Sequence, residues 1–268
     1  MPASLDQIVT AARKRVAETK ASADMRQLER DAEKHAPRGF RAALETAGRA
    51  GIAVITELKK ASPSRGVIRP DFNAERLALE LERGGAAALS VLTDEQFFQG
   101  SLENLRRASA SSTLPCLRKD FLVDAFQLLE ARANGADAVL LIVAALSETE
   151  LELLTTRARE YALDVLCEVH DEEELRRAAD AGCDLIGVNS RDLRTFQVDL
   201  ETAFRLAEVL PNNALWVAES GIHSGAEIAR LHAVGYRGFL IGESLMKAKS
   251  PGNALRTLIA EAGSEKVS

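Results

Sequence analysis

The sequence predicts an α/β protein, a single closed (β/α)8 TIM barrel with a helical N-terminal extension. Three observations lead to it. From Ala53 onward eight short apolar runs alternate with eight amphipathic segments, the composition stays even along this stretch, and capping sequences open several helices. Eight consecutive strand–helix units favour a closed parallel barrel. A doubly wound open sheet is the alternative, but it would carry a G-x-G-x-x-G turn after its first strand, and residues 59–66 contain none.

The first 50 residues are predicted to be helical, without a strand. Apolar side chains recur at helical spacing in the first segment, at Leu5, Ile8, Val9, Ala12 and Val16. A polar helical segment covers about 24–35, and a break at Pro37-Arg38-Gly39 precedes a third segment from Phe40. We therefore divide the chain into an extension, residues 1–50, that packs on the barrel mouth, and a catalytic barrel, residues 51–268. The extension could be a stabilising arm or a lid over a site.

Within the barrel, apolar runs mark the strands and amphipathic segments mark the helices. The strands are expected at 53–58, 87–92, 114–117, 138–143, 164–169, 185–188, 215–218 and 238–241. The helices are expected near 74–83, 101–111, 123–134, 147–161, 171–181, 199–210, 224–234 and 251–262. Four glycines lie where helix C-caps are expected: Gly84, Gly135, Gly182 and Gly235.

Composition excludes several classes of protein. The chain of 268 residues has a net charge of −6 and a pI near 5.4, which argues against a nucleic-acid-binding face. It contains neither an apolar run of about 18 residues nor a signal-peptide segment, so we expect a soluble, cytoplasmic protein without membrane contact. We also expect a monomer or a weak homodimer.

The cysteines and histidines give no sign of a metal site. Cys116, Cys167 and Cys183 form no C-x-x-C pair and are expected to be reduced thiols in the core. The four histidines lack metal-ligand spacing, and His223 and His232 are expected near helix ends, solvated or capping.

Charged or amide side chains occur at the ends of most of the predicted strands. They are Glu57, Lys59, Lys119, Glu168, Asn189 and Glu219. Side chains alternate along a strand, so Glu57 and Lys59 point the same way. A lone charge at a strand end is usually solvated at the rim, but the carboxyl ends of barrel strands meet at one mouth, where active sites lie. As a set, these residues predict a site in which an ammonium serves as acid and a carboxylate as base.

Two further groups of residues suggest what this mouth binds. Ser220-Gly221 follows the seventh strand, and Gly242-Glu243-Ser244 follows the eighth, where a short helix is expected to favour a phosphate. We expect the Glu243 side chain to face away from the phosphate. Phe97, Phe98 and Phe121 lie beside charged strand ends, either as core residues or as an apolar wall for an aromatic ring.

The motifs carrying these residues resemble those of the indole-3-glycerol phosphate synthase family. They are ITELKKASPSRG, SVLTDEQFFQGS, LRKDF, GADAVLLIVAAL, EVHDEEEL, IGVNSRDL, AESGI and IGESLM, in order from Ile55 to Met246. The resemblance implies a βα-barrel and the conversion of 1-(o-carboxyphenylamino)-1-deoxyribulose 5-phosphate to indole-3-glycerol phosphate, carbon dioxide and water. It implies no metal or organic cofactor.

The resemblance also implies residue roles. Lys119 would protonate the ketone oxygen, and Lys59 would hold or polarise the substrate near its carboxylate or act in the later dehydration. Glu168 would serve in proton transfer, and Glu57 would either pair with the lysines or act as a base. Asn189 and Glu219 would position the ribulose hydroxyls, with Ser62 and Arg191 nearby. The phosphate would contact Ser220, Gly221, Gly242 and Glu243, and the anthranilate ring would contact Phe98, Phe121, Leu140 and Leu193.

Three other functions are compatible with parts of the pattern. Another phosphosugar isomerase or lyase could use the same barrel, although such enzymes often rely on a carboxylate pair. A Schiff-base aldolase would need Lys59 or Lys119 to be neutral. A non-catalytic binding barrel would be expected to lack at least one residue of the mouth, and none is missing.

Overall fold

The barrel predicted from the sequence is confirmed. The structure, a computed structural model, describes residues 4–192, 195, 197–211 and 213–264. Eight parallel strands close a barrel in which each strand pairs with its neighbours in sequence and the first pairs with the last. They are β1 Ala53–Leu58, β2 Ala88–Leu92, β3 Cys116–Lys119, β4 Ala138–Ile142, β5 Asp164–Val169, β6 Leu185–Asn189, β7 Leu215–Glu219 and β8 Gly238–Ile241.

Helices surround this barrel and precede it. The extension contains α1 Leu5–Ser22, α2 Met25–Lys34 and α3 Phe40–Ala50. The remaining helices are α4 Ala74–Gly84, α5 Glu95–Phe98, α6 Leu102–Ser111, α7 Phe126–Ala133, α8 Glu148–Glu160, α9 Glu172–Asp180, α10 Glu201–Ala207, α11 Gly225–Ala233, α12 Glu243–Lys247 and α13 Pro251–Ser264. No helix among the described residues is long and apolar enough to span a lipid bilayer.

The alternation of side chains along each strand divides the apolar core into two parts. Outward-facing residues pack against the helices in one large cluster. Inward-facing residues fill the barrel, and this inner cluster includes Ile55, Leu140, Leu166, Val217 and Leu240. The inner core is a packed interior, so a ligand can enter only above it, at the carboxyl ends of the strands.

The extension contacts both ends of the barrel. Phe40 and Leu44 of α3 are fully buried in the inner cluster, together with the first residues of five strands: Ala53, Ala88, Ala138, Leu185 and Leu215. Helix α3 therefore closes the amino end of the barrel. Helix α1 lies at the opposite end, where Leu5 and Ile8 line the mouth.

Asp137, just before β4, attaches the extension to the barrel. It is buried, and its Oδ2 accepts hydrogen bonds from Arg38 Nη2 at 2.6 Å and from the backbone N–H of Cys116 at 2.7 Å. Its Oδ1 accepts from the backbone N–H of Arg38 at 2.7 Å and lies 3.1 Å from His35 Nε2. Because His35 and Arg38 both contact this buried carboxylate, Asp137 holds the segment between α2 and α3 against the barrel.

Several details differ from the expectations. The strand expected at 114–117 is displaced to Cys116–Lys119, because Pro115 precedes it and Arg118 and Lys119 pair with β2. Gly84 lies inside α4, where a Cβ would be 2.8 Å from the backbone oxygen of Gly252, and the left-handed C-cap is Gly85 with φ +97°. A two-stranded hairpin, Ala61–Ser62 with Gly66–Val67, was not expected.

The expectation of three reduced cysteines was wrong for two of them. Cys167 and Cys183 form a disulfide, and Cys116 is free and buried. Cys167 points outward from β5, and Cys183 precedes the neighbouring strand, so the fold brings together two residues separated by 16 positions. Nothing in the local sequence pattern indicates this proximity.

Candidate active site

Five strands bring the predicted charged residues to one mouth. Glu57, Lys119, Glu168, Asn189 and Glu219 occupy the last inward-facing positions of β1, β3, β5, β6 and β7. Lys59 follows β1 by one residue and shares the inward direction of Glu57. These side chains surround a cavity of about 430 Å³.

The cavity also collects most of the residues expected to bind substrate. Its lining includes Ser62, Phe98, Phe121, Leu140, Arg191, Ser220, Gly221, Gly242 and Glu243. Leu193 lies outside the described residues. Phe97 is half-buried and does not line the cavity, unlike the neighbouring Phe98.

Two ion-pair groups organise the charges. Lys119 Nζ lies 3.1 Å from Glu168 Oε2 and 3.0 Å from Glu219 Oε2, so a single ammonium joins two carboxylates across the mouth. Lys59 Nζ lies 2.6 Å from Glu57 Oε1. All three glutamates are buried, which makes each of these interactions stronger than a surface pair.

Burial and neighbouring charges shift the pKa values of four groups of the mouth, Lys119, Glu168, Glu57 and Glu219, in different directions. Burial would lower the pKa of Lys119, but Glu168, Glu219 and Glu57 outweigh it and raise that pKa above the usual value. Burial would raise the pKa of Glu168 and of Glu57, but the lysine charges lower both below their usual values. For Glu219, burial prevails and raises the pKa to about 7. The mouth therefore holds an ammonium, two ionised carboxylates and one carboxyl group able to exchange a proton near neutrality.

Two aromatic side chains, Phe98 and Phe121, form an aromatic wall of the same cavity. The rings of Phe98 and Phe121 are 6.3 Å apart between centroids and tilted by 35°, a spacing typical of interacting rings. Asp120 orients this wall, because its Oδ1 accepts the backbone N–H of Phe121 at 2.9 Å and its Oδ2 accepts from Arg118 and Thr93. Arg118 points outward, so only Lys119 of the two basic residues of β3 reaches the mouth.

Several residues around the mouth escaped sequence reasoning. Arg15 of α1 donates to Asp94 Oδ2 at 2.8 Å and to Asp120 Oδ1 at 3.2 Å, which joins α1 to the loops after β2 and β3. Leu5 and Ile8 line the cavity from the same helix. The helical spacing of Leu5 and Ile8 indicated that α1 has a buried face, but it did not indicate which part of the barrel covers that face. No feature of the sequence indicated a role for Arg15.

The loops after β7 and β8 form one side of the cavity. Ser220 and Gly221 both adopt left-handed conformations, with φ +65° and +77°. Gly242 packs so closely on Glu57 that a Cβ would lie 2.5 Å from Glu57 Oε1. The Glu243 carboxylate interacts with Lys247 Nζ at 2.5 Å and Arg65 Nε at 3.3 Å, so its charge is neutralised by the protein.

The comparison with known proteins identifies the family. The family model of indole-3-glycerol phosphate synthase matches residues 5–258. A protein of Koribacter versatilis (strain Ellin345) named indole-3-glycerol phosphate synthase is 58% identical over 259 residues, which cover 97% of this chain and 100% of that one. The chain belongs to the indole-3-glycerol phosphate synthase family. It is therefore a carboxy-lyase of tryptophan biosynthesis that forms indole-3-glycerol phosphate, and the resemblance seen in the sequence is confirmed.

Solved structures that resemble the synthase agree on the fold. The 3-hexulose-6-phosphate synthase of Salmonella typhimurium has a TM-score of 0.64 at 13% identity and covers 80% of this chain and 99% of its own. The protein KGPDC of Streptococcus mutans has a TM-score of 0.61 at 14% identity, with 80% and 98% covered. At such identities the likeness supports the barrel alone.

Gly187 of β6 provides a test of how closely the synthase site is packed. A Cβ at this position would overlap Glu219 Oε1 and lie 3.2 Å from Leu166 Cδ1. We expect Gly187→Ala to displace the Glu219 carboxylate and to lower kcat by roughly 10²-fold, because small misplacements of site groups are costly. Gly263→Ala in α13 is the control, since nothing lies within 4 Å of a Cβ there. Steady-state kinetics of both variants measure this effect. A wild-type kcat for Gly187→Ala would contradict the prediction that Gly187 must lack a side chain for Glu219 to be correctly placed.

Proposed function

We propose that the six charged and amide residues of the mouth divide the synthase reaction among them, with Lys119 as the general acid. The observation that carries this proposal is the position of its ammonium between Glu168 and Glu219, at 3.1 and 3.0 Å. Ring closure forms a carbon–carbon bond to the ketone carbon of the substrate, and negative charge develops on the ketone oxygen. An ammonium with a proton to give stabilises that charge.

The later steps need a second acid and a base. Departure of carbon dioxide returns its electron pair to the ring, and loss of water then removes a hydroxyl group and a carbon-bound proton. We assign the proton transfers to Glu168, with Glu57 as a second carboxylate, and the holding of the substrate carboxylate to Lys59. Glu168 and Glu57 are ionised at neutral pH because nearby positive charges outweigh burial and lower their pKa, and a carboxylate must be ionised to act as a base.

The remaining residues are proposed to place the substrate. Asn189 and Glu219, with Ser62 and Arg191 nearby, would contact the ribulose hydroxyls. The anthranilate ring would lie against Phe98, Phe121 and Leu140, and we propose Leu193 as a further contact. This division agrees with the lining of the cavity, which combines charged groups from the strand ends with two neighbouring aromatic rings.

The phosphate is proposed to bind at the loops after β7 and β8. In support of this, Ser220 and Gly221, both with left-handed backbone, and Gly242, in contact with Glu57, line the same cavity as the proposed catalytic residues. Glu243 is proposed to contribute its backbone rather than its carboxylate, because Arg65 and Lys247 hold the side chain. A phosphate there would fix one end of the substrate while the ring lies against the wall.

We also propose how the rest of the chain serves this site. Residues 1–50 act as an extension of the catalytic barrel 51–268, and α1 covers the mouth through Arg15. A monomer or weak homodimer is supported by the exposed large apolar side chains of the described residues, no two of which are neighbours in the sequence: Met25, Val67, Leu153, Val198, Val209 and Val234. A cytoplasmic location is proposed from the biosynthetic activity.

The decisive experiment mixes the protein with 1-(o-carboxyphenylamino)-1-deoxyribulose 5-phosphate in the presence of a chelator. We expect indole fluorescence to rise with release of one equivalent of carbon dioxide, because no proposed step uses a metal. Dependence of the rate on added metal ions would contradict the assigned roles. Binding of substrate without fluorescence or carbon dioxide release would contradict the role of Lys119 as an acid.

A further inference from the structure

One buried histidine contacts the candidate proton-transfer residue from outside the cavity. His170 follows β5 by one residue and points to the same side as Glu168. It does not line the cavity. Its Nε2 lies 3.4 Å from Glu168 Oε1, and its Nδ1 lies 2.9 Å from Glu174 Oε2. The ring thus lies between two carboxylates, one in the site and one behind it.

Glu174 determines the orientation of this ring. Its Oε2 accepts hydrogen bonds from both the backbone N–H of His170, at 2.8 Å, and the ring Nδ1. Glu174 is itself fixed in the first turn of α9, where its backbone N–H donates to the N-cap Asp171. In a capping box the Glu174 side chain would return to the backbone N–H of Asp171, but here it accepts from His170, the residue before the cap.

The two carboxylates also determine the protonation of the ring. A carboxylate oxygen only accepts, so Nδ1 must carry a proton to meet Glu174. The Nε2 atom is buried and has no hydrogen-bond partner among the described residues, and Glu168 Oε1 is its ion-pair neighbour. A neutral Nε2 would place its lone pair 3.4 Å from a carboxylate oxygen, whereas a protonated Nε2 would be attracted to that negative charge. The geometry therefore favours a doubly protonated imidazolium.

The electrostatics agree with this geometry. Burial would lower the pKa of His170, but its interactions with Glu168 and Glu174 outweigh burial and raise the pKa to about 10. The charged groups facing the histidine come from β5 and α9, and Lys119 of β3 contacts the other oxygen of Glu168. Each oxygen of Glu168 therefore faces its own cation.

We propose that His170 is a positioning residue of the synthase reaction: as an imidazolium held by Glu174, it fixes Glu168 Oε1 so that Oε2 meets Lys119 and the carboxylate stays ionised. This inference rests on the proposed proton-transfer role of Glu168. It assigns to the sequence H-x-x-x-E, residues 170–174, a function in addition to capping α9.

The proposal predicts a change in the pH profile. In His170→Gln the side chain keeps an N–H donor but loses its charge, so the pKa of Glu168 should rise. We expect the acidic limb of kcat to move to higher pH by roughly one unit, with kcat about tenfold lower at its optimum and KM little changed. Glu174→Gln should shift the limb in the same direction by a smaller amount, because the ring loses only the charge behind it.

Glu227→Gln is the matched control. Glu227 Oε2 accepts the backbone N–H of His223 at 2.7 Å at the start of α11, as Glu174 does for His170 at the start of α9. Neither Glu227 nor His223 contacts Glu168 in any described interaction, so this variant reports the loss of a capping carboxylate beside the mouth without a change at Glu168. Its acidic limb should coincide with that of the wild type.

The outcomes separate this inference from the role of Glu168. If Glu168→Gln keeps the wild-type kcat, the proposed proton transfer fails. If Glu168→Gln loses turnover while His170→Gln keeps the wild-type acidic limb, or changes KM alone, only the positioning role of His170 fails. Nitrogen chemical shifts of the assigned His170 ring in the wild-type protein provide a test that depends on no variant. We expect both ring nitrogens to be protonated at about pH 8.5, and a singly protonated ring would overturn the proposal.

Discussion

Lys119→Met is expected to lower kcat by a factor of about 10³ while leaving the protein folded. The variant removes the ammonium that contacts both Glu168 and Glu219, at 3.1 and 3.0 Å, and with it the proposed proton donor. It also leaves two buried carboxylates without their shared cation, so one of them should take up a proton. Steady-state and single-turnover assays of indole fluorescence would measure the loss.

Lys34→Met is a suitable control for this change. Lys34 forms an exposed pair with Asp31 within α2 and lies away from the cavity. Its kcat should equal that of the wild type. Thermal unfolding of both variants would show whether the fold is intact. A Lys119→Met protein with wild-type turnover would reject the general-acid role, whereas loss of turnover accompanied by unfolding would leave Lys119→Arg as the variant to measure.

Asp137→Asn is expected to lower the free energy of unfolding by about 3–5 kcal/mol, a value typical of a broken buried ion pair. The Arg38 guanidinium donates to Asp137 through Nε and Nη2, at 3.0 and 2.6 Å, and would lose its charged partner. The neutral amide would also offer one acceptor oxygen where two now serve Arg38, His35 and Cys116. Urea unfolding followed by circular dichroism measures this loss.

The pH dependence of stability provides a second test of the contribution of Asp137. Burial would raise the pKa of Asp137, but its bonds to His35, Arg38 and Cys116 outweigh burial and lower it. A lowered pKa means that the folded state binds this proton less tightly than the unfolded state, so Asp137 contributes stability above the usual aspartate pKa. That contribution is lost as the pH falls below about 4. The free energy of unfolding of Asp137→Asn should therefore fall less steeply with pH in this range than that of the wild type.

Asp31→Asn is the matched control for Asp137→Asn. Asp31 pairs with Lys34 at 2.6 Å on the exposed face of α2, where solvent screens the charges. Asp31→Asn should therefore change the unfolding midpoint far less than Asp137→Asn does. If the two variants have equal midpoints, Asp137 does not anchor the extension to the barrel.

The candidate site shows which features could be predicted from the sequence. Strand alternation placed Glu57 and Lys59 on one side of β1, and the structure pairs them at 2.6 Å. The position of Lys119 at a strand end placed it at the mouth but did not reveal which carboxylates it contacts. Gly187 was overlooked, because its importance comes from the Glu219 side chain of the adjacent strand.

The sequence by itself determined the (β/α)8 barrel, the inward face of each strand and the set of charged residues at the mouth. These features follow from periodic patterns that repeat over a few residues, and the family motifs made them specific. Only the tertiary structure decided the contacts that join distant parts of the chain: Arg15 with Asp120, Arg38 with Asp137, Cys167 with Cys183, and His170 between Glu168 and Glu174. Such contacts depend on how helices and loops are placed around the barrel, and no local pattern records which side chains meet there.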